Sequence, residues 1–173
     1  MGRPRPRWVS FSADGVPQPR RREGEGRRRD DVAEQVHPGQ HDFSPGTIEV
    51  KSGQTLTFEY EKKTMEPHTL TIVKQGDLPK TGAQVENCSA CQKLATGHLK
   101  NPKAEPGPSN PIVHWTLNKG KPGLDRVGDS IAIDSTAKPA HTKNSIKVTA
   151  KAGTTLYFLC AVHPWMQGKI VVK

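Results

Sequence analysis

The C-terminal stretch Tyr157-Phe-Leu-Cys-Ala-Val-His-Pro-Trp-Met-Gln-Gly-Lys-Ile-Val-Val-Lys173 decides how the rest of the chain is read. Thr154 to Leu159 and Gly168 to Val172 are rich in β-branched and aromatic residues, which predicts two strands. The turn between them holds Cys160, His163, Pro164 and Met166 in the spacing Cys-x2-His-Pro-x-Met. A thiolate, an imidazole and a thioether on one short loop are soft donors. Soft donors select copper, and two His with one Cys in a trigonal plane plus a weak axial Met describe a blue-copper site. The loop supplies three such ligands and lacks one histidine.

His68 is the candidate for the missing ligand. It follows Pro67 and opens the alternating run His68-Thr-Leu-Thr-Ile-Val73. A histidine at the end of a strand has the rigidity that a metal site needs. His37 and His41 lie in a polar approach to the first strand. His98 and His114 sit in irregular sequence, and His141 follows Pro139 in a turn. Taken alone, His68 reads as a surface residue at a strand terminus; the C-terminal loop makes it a ligand candidate instead.

Size and composition agree with a loop-rich β protein. The chain has 173 residues, a low apolar fraction and 16 Gly with 15 Pro, which predicts one domain with tails and insertions. No apolar run reaches the length of a membrane-spanning helix. The net charge of +9 is uneven, with nine Arg against three acids in residues 1–29. Residues 1–31 cannot bury enough apolar surface to offset their ordering entropy and are expected to be disordered. They read as a misassigned start in place of an export signal, with a nucleic-acid-binding tail as the alternative.

From Phe43 the texture changes. Thr47-Ile-Glu-Val50 and Thr55 to Tyr60 alternate around a Lys-Ser-Gly-Gln turn, with Leu56, Phe58 and Tyr60 on a packed face and Thr55, Thr57 and Glu59 on a wet one. Further strands are predicted at Gly128 to Asp134 and Asn144 to Thr149. The phrases Lys51-Ser-Gly-Gln-Thr-Leu56 and Lys151-Ala-Gly-Thr-Thr-Leu156 match, which predicts equivalent hairpins in two halves of a sandwich of seven or eight strands. The predicted domains are a tail and lead-in at 1–42 and a sandwich at 43–173. The latter carries a long irregular insertion at about 74–129.

Three cysteines are an odd number. If Cys160 is a ligand, Cys88 and Cys91 remain as a pair at the start of a short helix through Thr96. A disulfide, a second metal site with His98 or His114, and a redox dithiol stay open for that pair.

The loop, the His68 strand and the sandwich pattern resemble the cupredoxins, the blue-copper family of plastocyanin, azurin and amicyanin. The loop spacing is most similar to that of amicyanin. The resemblance spans roughly residues 43–73 and 130–173. It implies an all-β Greek-key sandwich holding one type 1 copper through His68, Cys160, His163 and Met166. It further implies a monomeric one-electron carrier, periplasmic or extracellular, that docks redox partners near His163 and Trp165. Many cupredoxins place Asn after the first histidine ligand, where it ties the two ligand loops together; this chain has Thr69. A copper storage, delivery or sensing protein is the alternative. Paired His-x-His motifs and a second loop cysteine are both missing from the sequence, so no enzymatic role is expected.

Overall fold

The computed structural model describes residues 34–38, 43–60 and 66–173. The readings of the basic tail lie outside these residues. Among the described residues, ten strands form two sheets. β1 (Glu34–Pro38), β2 (Phe43–Ser44), β4 (Thr55–Glu59) and β8 (Lys143–Lys147) make a four-stranded sheet in the order β2-β1-β4-β8. β3 (Thr47–Val50), β5 (His68–Val73), β6 (Thr116–Leu117), β7 (Ser130–Ile133), β9 (Thr155–Leu159) and β10 (Gln167–Val172) make a six-stranded sheet in the order β3-β10-β9-β5-β7-β6. The architecture is the expected all-β sandwich.

Alternation along the strands builds the core. Ile48, Val50, Leu56, Phe58, Leu70, Ile72, Ile131, Ile133, Phe158, Ile170 and Val172 point between the sheets and are almost fully buried. Phe43 packs its ring on Phe158 with centroids 4.9 Å apart. Burying each such side chain contributes about 1.5–3 kcal/mol. Thr57 departs from the wet face expected for it: it is buried, and its hydroxyl pairs with Ser145 of β8 at 3.1 Å.

The two matching Gly phrases are not hairpins. β3 and β4 lie in different sheets, and so do β8 and β9, so each turn carries the chain across the core. The turns are nevertheless equivalent. Gln54 N–H donates to Lys51 and Thr154 N–H to Lys151, while Gly53 and Gly153 adopt φ values of 86° and 83°. Each glycine supplies the positive φ that such a turn requires. Periodicity identified the strands and the turn but carried no information about which sheet each strand joins.

The insertion between β5 and β7 is ordered. It contains a 3-10 turn at Gln75–Asp77, α1 (Gly82–Glu86), α2 (Ser89–Gly97) and then β6. The helix expected to begin at the cysteine pair is α2, and Cys88 and Cys91 form a disulfide. Cys91 packs with Val73, Leu159 and Ala161, so the insertion covers the outer face of β5 and β9. The Pro-rich loop after it is held by buried Asn110. Its side chain accepts from Asn101 N and donates to the carbonyls of Asn101, Ala104 and Glu105. β1 lies upstream of the sandwich boundary expected at residue 43, and its parallel pairing with β4 is a long-range contact that local pattern does not announce.

Candidate metal centre

The centre sits where β5 begins and β9 ends, at one end of the sandwich. His68 is the first residue of β5, held by its ladder to Ile133 in β7. Cys160 follows the last residue of β9. Two hydrogen bonds shape the loop after it: Cys160 N–H donates to the Met166 carbonyl, and Met166 N–H donates to the His163 carbonyl, both at 2.9 Å. This tight loop folds His163 back over the sulfur.

His68, Cys160 and His163 converge, with their ligand atoms within 4.8 Å of one another. Cys160 Sγ lies 3.9 Å from His68 Nδ1 and 3.6 Å from His163 Nδ1. A trigonal ion with bonds of about 2.0–2.3 Å to imidazole and thiolate would hold nitrogen and sulfur about 3.8 Å apart, so the triangle has the right size. Cys160 and Met166 are wholly buried, and His68 and His163 nearly so. All four residues of the expected ligand set therefore lie at this end of the core. It is the only such His/Cys/carboxylate group among the described residues, and neither His98 nor His114 joins the Cys88–Cys91 disulfide in a second one.

Burial controls the charge of the donors. It lowers the His68 pKa to about 4, helped by the neighbouring His163 and opposed by Glu66. The imidazole is thus neutral and ready to ligate near pH 7. Burial pushes the Cys160 thiol up, while hydrogen bonds from Thr69, His163 and Val162 work the other way. A bound cation would add a much larger stabilisation of the thiolate.

Three neighbours complete the centre. Thr69 donates its N–H to Cys160 Sγ at 3.4 Å and accepts the Ala161 N–H on Oγ1 at 2.7 Å. Glu66 Oε2 lies 2.9 Å from His163 Nε2, the ring nitrogen turned away from the sulfur. Tyr60 sets its ring edge against His68 and donates its hydroxyl to the Glu66 carbonyl at 2.7 Å. Only the departure from Asn at position 69 marked one of them in advance. Trp165 packs its ring edge on His163 and remains 48 % exposed.

The sandwich and its His2Cys cluster beside Met166 bear out the resemblance to cupredoxins. No family model matches the chain, and no curated protein does. Among solved structures it is similar to auracyanin A, a blue copper protein of Chloroflexus aurantiacus, at 19% identity and a TM-score of 0.46, covering 83% of this chain and 99% of that one. Auracyanin of Roseiflexus castenholzii gives 17% identity and a TM-score of 0.44, covering 82% and 96%. A purple cupredoxin of Nitrosopumilus maritimus gives 13% and 0.40, covering 81% and 99%. All these scores fall below 0.5, and the functional reading stands on the ligand cluster.

Proposed function

We propose that the chain is a mononuclear type 1 copper protein that carries single electrons between redox partners. His68, Cys160, His163 and Met166 would hold the copper, through two imidazoles, a thiolate and a thioether. The observation that carries this reading is the buried triangle of two imidazole nitrogens and one thiol sulfur. That donor set, with a thioether residue beside it, suits copper and its softer reduced state. Copper held there supplies a one-electron Cu(II)/Cu(I) couple.

The chain's own residues make that couple usable. His68 is fixed by a strand and Cys160 by the strand end, so the donors keep one arrangement. Thr69 links their two segments, which limits rearrangement when the charge changes. The buried loop excludes water from the sulfur. Trp165 and Val162 present exposed apolar surface beside His163, suited to the small, short-lived interfaces of redox encounters. The Cys88–Cys91 disulfide supports a location outside the cytoplasm, and a monomer is the form proposed. No catalytic role is proposed.

Titrating the reduced-thiol apoprotein with Cu(II) tests the reading. One equivalent should produce an intense thiolate-to-copper band in the visible, lost in Cys160→Ser. A colourless, readily exchanged complex would sink the electron-carrier reading and move the protein to copper storage or delivery.

A further inference from the structure

The insertion reaches the metal centre through a buried chain of hydrogen bonds. His98 caps the C-terminus of α2, and its ring is fully buried. His98 Nδ1 lies 2.5 Å from the His114 carbonyl, which can only accept, so Nδ1 carries a proton. His98 Nε2 therefore accepts the Ser130 hydroxyl of β7 at 2.7 Å. Ser130 Oγ has given its proton away and can only accept from Thr71 Oγ1 in β5, 2.6 Å off, so the one Thr71 proton is shared in a three-centre bond between Ser130 Oγ and Thr69 Oγ1, the latter at 2.9 Å. Thr69 Oγ1 then accepts the Ala161 N–H, next to Cys160, while the Thr69 N–H meets Cys160 Sγ.

Thr69, Thr71 and Ser130 are each 0 % exposed. On an uncovered sheet this face of β5 would be wet, and water would serve its hydroxyls. Here the insertion covers it, so each hydroxyl depends on the next for its partner. In a low-dielectric interior such a network acts as a unit, and losing one member disturbs the others.

We propose that His98 is a positioning residue for the metal centre, acting through Ser130, Thr71 and Thr69 on the Ala161 amide and the Cys160 sulfur. The 74–129 insertion is then part of the apparatus that sets the ligand loop. This rests on Cys160 being a copper ligand, because hydrogen bonding around the cysteine sulfur tunes a copper–thiolate site. A purely structural His98 would anchor α2 to the sheet and leave the loop as it is.

The test uses the full-length chain with His98→Leu, Ser130→Ala and the double variant. Two quantities are measured: amide hydrogen exchange at Ala161 in the apoprotein, and the thiolate-to-copper band after loading with copper. Each single variant should speed Ala161 exchange about five- to tenfold and move the band. The double variant should do no more than Ser130→Ala alone, since the chain is already cut. His98→Gln, which keeps a polar group for Ser130, should restore part of both signals. The proposal falls if His98→Leu loosens α2 but leaves Ala161 exchange and the band unchanged, or if the two single effects simply add. Should His98→Leu fail to fold, Thr71→Val breaks the same chain at its centre and is read by the same criteria. Absence of any copper band in the parent protein would remove the copper reading, while Ala161 exchange would still decide the chain.

Discussion

Thr69 and Ala161 are 92 residues apart in the chain, yet the threonine Oγ1 accepts the alanine amide at 2.7 Å. That bond joins the strand that begins with His68 to the loop that begins with Cys160. It performs the tie between ligand segments for which the cupredoxin pattern commonly uses asparagine. A hydroxyl is shorter than a carboxamide, and the close packing of β5 on β9 brings the amide within its reach.

Thr69→Val keeps the shape of the side chain and removes the acceptor. The Ala161 N–H is then buried without a partner, which costs about 1–3 kcal/mol. Urea unfolding of the apoprotein should show that loss, and the loaded protein should show an altered thiolate-to-copper band. An unchanged unfolding midpoint would mean that the bond contributes nothing.

Glu66→Gln should raise the reduction potential of the copper-loaded protein. Glu66 sits on His163 Nε2, and a negative charge there favours the more highly charged Cu(II). Removing it should shift the potential upward by roughly tens of millivolts. Stability should change little, since the carboxylate is largely exposed. Voltammetry at low and high salt checks this, and a downward shift would contradict it.

The apoprotein should lose stability in mild acid. Burial lowers the His98 pKa from 6.5 to about 4, with the His114 carbonyl opposing. The unfolded chain therefore takes up the proton first, so stability is full above about pH 6.5 and declines as pH falls toward 4. His98 alone contributes on the order of 3 kcal/mol to that decline. His68 is shifted in the same direction and adds to it. Unfolding midpoints at pH 7.5, 5.5 and 4.5 should show a steeper fall in the parent than in His98→Gln. Parallel curves would count against the assignment.

Gly168→Ala should destabilise the fold from within β10. An added Cβ would meet the Phe158 ring and the Gly46 carbonyl, neither of which can yield cheaply in a packed core. Overpacking of this kind costs about 1–3 kcal/mol. A Tm equal to that of the parent would show that β10 can shift outward.

Much of the centre was legible because its signals are local. Cys160, His163 and Met166 lie within one loop, and His68 opens an alternating strand at the same end of the sandwich. Tyr60 and Glu66 were not legible as its neighbours. One reads as a core aromatic and the other as a turn charge; Tyr60 follows β4 of the other sheet, so only the packing of the two sheets brings it to His68, and only the loop after Cys160 brings His163 to Glu66. The matched turns at Gly53 and Gly153 show the same limit. They were correctly read as turns, yet their course between sheets was not.

By itself the sequence determined the strand periods, the turn glycines and the donor types with their short-range spacing. These depend on neighbours within a few residues, where side-chain chemistry and backbone geometry act directly. The tertiary structure alone decided which strands pair, how the insertion covers β5, and that Thr69, Ser130 and His98 form one chain behind Cys160. Alternation states that a strand has an apolar face and a polar one, but not what will cover either. Those partners lie tens of residues away, and they are selected by the burial and hydrogen-bond satisfaction of the whole sandwich.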